Sequence, residues 1–360
     1  MKSLIITCAF ELKDSRCLDL IEQYPDIDIF RNIHGVASES WLVDRTATVK
    51  LPFHTTLLAE NILPDFTAIP QRTLYDTCMF RANQLITNCK KIYFLWSGGI
   101  DSTMALTSFI MAGVSKEQLI VVCNSESIKE NPQFYKNHIL DKFDLMASEL
   151  MMQRMKLSNI DGTILSCEQG DLLYGQDFGF SMFELFGSGF LNNPVSKENA
   201  IKFFVANNMH EHSASCWYDI FITSSNNSPR PIDNMYDFSW WCGFNWRWQW
   251  AVEKIKIRTA QNLDIQTFFS SNEMQSWSVF HNQRQIANKA GFKYEFKKLI
   301  YDYTKDITYF DKIKHPSATF YYTADSYAAI DSNYKRYKSK DFSIIDYYQP
   351  DNFISRWLAY

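Results

Sequence analysis

The chain has 360 residues, 46% of them apolar, which is enough to bury a sizeable core and rules out a polar, unfolded chain. A formal charge of -4 with 21% charged residues gives no basic surplus for a phosphate backbone, and no apolar run reaches the roughly 18 to 20 residues of a membrane span. The eight cysteines are scattered with no C-x-x-C pair, which excludes a catalytic dithiol and a four-cysteine zinc cluster and fits reduced thiols in a cytoplasmic protein.

In chain order, residues 1–85 read as short mixed elements. Leu4 to Phe10 is apolar but too short for a secretory signal, an extended stretch begins at Ala47, and Pro64 and Pro70 mark a turn. Leu74, Cys78, Ala82 and Leu85 then recur at helical spacing. The expectation is a small N-terminal α/β domain over 1–85, joined by that helix to a larger domain beginning at 86.

Residues 92–96, Ile-Tyr-Phe-Leu-Trp, are continuously apolar, as in a strand covered on both faces. Met104, Ala105, Ser108 and Phe109 give a helical stripe, Leu119 to Cys123 a second buried strand, 134–157 a long helix, and Thr163 to Leu165 a third strand. Strands alternating with helices through short connections predict an α/β fold, a parallel sheet with helices on both faces. Residues 181–360 carry further helical patterns, with 321–360 read as a C-terminal extension.

The segment 236–250 places Trp240, Trp241, Phe244 and Trp248 at helical intervals, predicting a buried helix or a seam between copies in a homo-oligomer, with a stacking pocket as the alternative. His210, His212 and Cys216 offer three metal-ligating side chains with no fourth nearby, which argues against zinc.

The most informative stretch is Ser97-Gly98-Gly99-Ile100-Asp101-Ser102-Thr103, lying between the first strand and the first stripe. A loop leaving the carboxyl end of a parallel strand and entering a helix presents backbone N–H groups to an anion. Gly98 and Gly99 allow the tight turn, Ser97, Ser102 and Thr103 add hydroxyls, and Asp101 can cap the helix or hold a divalent cation against the same phosphates. The pattern S-G-G-x-D-S contains neither the Walker G-K-[ST] nor a G-x-G-x-x-G.

This stretch resembles the pyrophosphate loop of the N-type ATP pyrophosphatases, the PP-loop superfamily, which adenylate a substrate and release pyrophosphate. The resemblance implies an adenine nucleotide alpha hydrolase-like fold over 86–320. It also implies ATP and Mg²⁺ as cofactors, with Ser97, Gly98, Gly99, Asp101, Ser102 and Thr103 binding the nucleotide. Two further segments are similar to the synthetase domain of asparagine synthetase. Cys167 to Gly175 follows its G-E-G-A-D-E-x-F-G motif at Glu168, Asp171, Tyr174 and Gly175, with Cys167, Gln169 and Leu172 in place of Gly, Gly and Glu. By this resemblance Glu168 would be the base toward an attacking amine, and Asp171 would join Asp101 in holding the metal and phosphates. Lys256 precedes Asp264 by eight residues, as a catalytic lysine precedes the Glu of E-x-R-x-P-F-x-D, and Phe269 matches the Phe, whereas Gln266, Phe268 and Ser271 depart. That implies Lys256 as the cation for charge developing on the α-phosphate.

Glutamine-dependent asparagine synthetases begin with a nucleophilic Cys. Here the chain begins Met-Lys-Ser, so the expected nitrogen source is free ammonia, another amine or a partner. The functional expectation is an AMP-forming amide ligase acting on a small carboxylate. The alternatives are a PP-loop enzyme modifying a nucleobase or nucleotide, and a nucleotide-binding interaction protein without turnover. No membrane partner is expected, and the bulk charge does not ask for nucleic acid.

Overall fold

The computed structural model describes residues 42–49, 57–156, 159–207, 209, 211–249, 251, 263–281 and 291–311. Helix α1 (Leu74–Asn88) starts where Thr73 caps it: the hydroxyl accepts from Asp76 N at 3.1 Å and donates to the Asp76 carboxylate at 2.7 Å. Strand β1 (Ile92–Leu95) follows, then α2 (Ile100–Met111), β2 (Leu119–Cys123), α3 (Ser125–Glu130), β3 (Asp144–Ala147), α4 (Ser148–Lys156) and β4 (Thr163–Ser166). Helices α5 (Gly170–Tyr174), α6 (Gln176–Phe186), α7 (Lys197–Ala206), α8 (Glu211–Ser225) and α9 (Met235–Trp241) precede β5 (Ile265–Thr267), α10 (Asn272–Phe280) and α11 (Tyr294–Thr304).

The five strands form one all-parallel sheet in the order β3-β2-β1-β4-β5. From β1 the chain steps outward to β2 and β3, then returns to the other side of β1 for β4 and β5. The order therefore reverses between β1 and β4, and in open α/β sheets the crevice above the carboxyl ends at such a reversal is where ligands bind. Tyr93 and Leu95 point into one core with Val122, Met146, Met151 and Ile164, while Ile92 and Phe94 point into a larger one with α1 and α2. Helix α2 is buried on nearly every side, as its largely apolar sequence requires.

Two sequence expectations need correction. The long helix over 134–157 does not form: a π-helical turn (Tyr135–Ile139) ends at Leu140, whose ψ of 133° is already extended, Asp141 follows with φ at 62°, and β3 and α4 come next. Only Met146 of the four β3 residues is buried, so this edge strand lacks the continuous apolar run that marks the central ones. The boundary at 85 also falls inside a shared core. Phe66, Leu74, Cys78, Ala82 and Leu85 pack in one cluster with β1 and α2, and Cys78 Sγ lies 3.4 Å from Met104 Sδ. Residues 42–49 dock likewise: Val43 N donates to Trp246 O at 3.0 Å, and Arg45 donates to the carbonyls of Asn61 and Phe244.

The aromatic content fills a second, helical layer built from α6 to α9, with Phe178, Phe203, Phe204, Trp217, Phe221, Phe238 and Trp246 in one cluster. Trp240, Trp241, Phe244 and Trp248 are all buried within the chain itself. Of the readings offered for 236–250, the buried helix holds for these four rings, which pack in the chain's own core rather than at a seam between copies or in a stacking pocket. Among the described residues no helix is long and apolar enough to cross a membrane.

Candidate functional site

The Ser97 loop lies at the carboxyl end of β1, as its sequence position predicts. Trp96 closes the strand, its N–H bonded to Val122 O at 2.9 Å and its ring stacked near Phe134 and Tyr135. Gly98 then turns with φ at 76°, where a Cβ would collide with the Ser127 carbonyl, so the position requires glycine. Helix α2 begins at Gly99 with no side chain capping it, which leaves the helix end to solvent or a ligand. Across the turn Ser102 Oγ accepts from Ser97 N at 3.2 Å and lies 3.0 Å from Ser97 Oγ, while Gly99 N donates to Ser97 Oγ at 3.3 Å. Thr103 is fully buried beneath the loop, accepting from Trp96 Nε1 at 3.2 Å and reaching Gly98 O at 3.4 Å. Its hydroxyl braces the loop from below rather than facing a ligand.

The Cys167 segment leaves the carboxyl end of β4, the neighbouring strand across the reversal. Gln169 is fully buried and its amide oxygen accepts from Thr267 Oγ1, tying this loop to the end of β5. Gly170 opens α5 directly against Asp101, and Asp171 sits in the first turn of that helix. Gly175, with φ at 65°, joins α5 to α6, and a Cβ there would strike the Trp240 backbone. Among the described residues, Ser166 Oγ and Gln169 Nε2 are buried polar atoms without hydrogen-bond partners, on either side of Cys167 and Glu168. Each such atom costs about 1–3 kcal/mol when nothing pairs with it, which favours a polar ligand or water in this crevice.

The structure adds a residue that the sequence did not single out. Lys293 stands at the N-terminal end of α11 with φ at 56°, and its ammonium bridges the carboxylates of Asp101 and Asp171. The lysine side chain is 1% exposed and the two acids 17% and 20%. The glycine turn after β1, the carboxylate after β4 and this lysine thus converge above the reversal. In sequence it is one of several charges in the run Phe292-Lys293-Tyr294-Glu295-Phe296-Lys297-Lys298, and nothing sets it apart from the others.

The first turn of α11 is held by a second set of contacts, made by Glu295. Two residues beyond Lys293, Glu295 accepts from Tyr174 OH at 3.0 Å and pairs with His281 Nε2 at 3.1 Å. Burial alone would push the Glu295 carboxyl up, but the hydrogen bond and charge of His281, a backbone N–H and the Tyr174 hydroxyl outweigh it and hold the group below its ordinary value. Burial, then the Glu295 charge, push the Tyr174 phenol well up, so it stays protonated and donates. Near the site, burial pushes the Cys167 thiol well up, the Asp101 and Glu168 carboxylates add to this and Lys293 opposes it. All four groups therefore share one electrostatic neighbourhood.

No protein-family model and no curated protein matches the chain. The site must be read from its own chemistry.

Two carboxylates facing one ammonium leave a formal negative charge at the crevice, and a polyphosphate would be repelled there unless a divalent cation came with it. Asp101 and Asp171 fit such a cation, since Mg²⁺ is commonly held by one or two carboxylates together with phosphate oxygens and water. Among the described residues there is no group of three or more His, Cys, Asp and Glu that would form an all-protein metal cage. Cys216 Sγ lies 3.9 Å from His212 Nε2 on an exposed helix face, and His210 lies outside the described residues. Lys256 also lies outside them. Asp264, eight residues later, stands at the amino end of β5, where its carboxylate accepts from Thr163 Oγ1. It is therefore at the opposite end of the sheet from the Ser97 loop.

Proposed function

We propose that the chain is an AMP-forming carbon–nitrogen ligase of asparagine-synthetase-like type, which activates a small carboxylate with ATP and passes it to ammonia or another amine. The observation that carries this reading is the meeting of the Ser97 loop, the Glu168–Asp171 segment and Lys293 above the β1/β4 reversal. The sheet order and the all-parallel strands are also compatible with the adenine nucleotide alpha hydrolase-like fold.

In this reading the uncapped start of α2 and the Ser97 and Ser102 hydroxyls receive the β and γ phosphates. Asp101 and Asp171 would hold Mg²⁺, which would supply charge neutralisation for those phosphates. ATP, when bound, supplies the adenylyl group that makes the carboxylate a competent acyl donor. Lys293 supplies a positive charge where negative charge grows as pyrophosphate departs. Glu168, half-buried beside Cys167, accepts the proton released when the amine attacks. Lys256 keeps its sequence-based candidacy for the same cationic role as Lys293.

The interaction-protein alternative would need an exposed aromatic surface, and Trp240, Trp241, Phe244 and Trp248 are buried within the chain. The test is incubation of purified protein with ATP, Mg²⁺, ammonia and pooled carboxylic acids, following AMP and pyrophosphate. AMP formation that depends on one acid, and is abolished in Asp101→Ala, is the expected result. ATP binding with no AMP from any pool would overturn the ligase reading.

A further inference from the structure

The lysine ammonium fills the position between Asp101 and Asp171 that the proposed function gives to a divalent cation. Like charges compete for the same oxygens, and the lysine side chain is 1% exposed, so nothing joins the acids on that side while Nζ remains. We infer that Lys293 and a divalent cation are alternative occupants of the Asp101–Asp171 pair, with cation binding turning the ammonium out toward the phosphate face of the Ser97 loop. This inference rests on the proposed function only for the phosphates that receive the ammonium.

Three features make the lysine the moving member. Asp101 is fixed on buried α2 and lies flush on Gly170, where an added Cβ would come 2.6 Å from its Oδ1. Asp171 is fixed in the first turn of α5, whose Tyr174 is buried and bonded to Glu295. The Lys293 backbone is held at the start of α11, where its carbonyl accepts from Lys297 N at 3.0 Å, and by the Glu295 tether, but its four-carbon stem can swing about that fixed point. Charge favours the exchange as well. Two carboxylates are neutralised by a divalent cation and only half neutralised by one ammonium. The site would then stay closed on its own lysine until cation and phosphates arrive together, and the displaced ammonium would reach the phosphates as they bind.

The test is Mn²⁺ binding followed by loss of the free-ion paramagnetic signal, with no nucleotide present, in wild type, Lys293→Met and Lys293→Gln. Removing the ammonium should tighten Mn²⁺ at least ~10-fold, about 1.4 kcal/mol, and adding Asp171→Asn to Lys293→Met should cancel the gain. In wild type, inorganic pyrophosphate should tighten Mn²⁺ beyond the affinity of Mn²⁺ for pyrophosphate alone. Equal or weaker Mn²⁺ binding in folded Lys293→Met would overturn the proposal. If that variant does not fold, Mn²⁺ should restore its fold by neutralising the same acids, and failure to do so would overturn it too. None of these readouts needs turnover, so a ligase assay that stays negative leaves this result intact and identifies the activity as the part that failed.

Discussion

Gly170 lies directly beneath Asp101: a Cβ on the glycine would come within 2.6 Å of the carboxylate oxygen Oδ1. The absence of that one carbon lets α5 start against α2 and lets Lys293 reach both acids. In Gly170→Ala the Asp101 side chain has to shift, loosening its pair with a buried ammonium. The urea midpoint should fall by an amount equivalent to about 1–3 kcal/mol, the usual range for an overpacked site, with an unchanged m value. An unshifted midpoint would show that Asp101 is not held where the structure puts it.

The helical aromatic layer makes a separate prediction. Ser224 Oγ accepts from both Trp241 Nε1 and Trp246 Nε1 at 2.9 Å and donates to Phe221 O. Ser224→Ala leaves two buried indole N–H groups unpaired, at about 1–3 kcal/mol each. Chemical denaturation should therefore show a loss larger than the ~1 kcal/mol typical of a point mutation. A loss well below that would mean that the indoles find other acceptors.

Cys167 reports on the charge around it. Burial and the Asp101 and Glu168 carboxylates keep its thiol well above the ordinary value, so it should alkylate slowly at neutral pH despite partial exposure. Asp101→Asn removes one of those charges and should speed iodoacetamide labelling of the Cys167 peptide, read by mass spectrometry. Equal or slower labelling in the variant would separate the thiol from the acid–lysine cluster.

How much of this is legible in the sequence depends on how local each signal is. β1 and β2 announce themselves because both of their faces are buried, giving unbroken apolar runs, and β4 more faintly, through Ile164 and Leu165 between Thr163 and Ser166. β3 does not, with one buried residue in four, and β5 is only three residues long. The Ser97 loop is legible for a similar reason: its turn, hydroxyls and helix start lie within seven consecutive positions, 97–103. Lys293 meets Asp101 across 192 residues of chain, a partnership that no window of sequence contains. Lys256 entered through resemblance alone, and its companion Asp264 turns out to sit at the far end of the sheet.

Acid should weaken the tether behind Lys293. The Glu295 carboxyl is held below its ordinary value in the folded chain, so the contact stabilises fully above the unfolded value of about 4.3. That stability is lost as pH falls through the lower folded value. Stability measured against pH should drop more steeply on the acid side in wild type than in Glu295→Gln, whose amide keeps an acceptor for Tyr174 but cannot titrate. Parallel acid limbs would assign the tether no electrostatic part.

Amide hydrogen exchange of the wild-type chain, with and without ATP and Mg²⁺, decides whether ATP binds above the reversal between β1 and β4. Slowed exchange is expected in peptides covering 97–103 and 167–171. ATP-dependent protection elsewhere, with these peptides unaltered, would contradict ATP binding at this crevice.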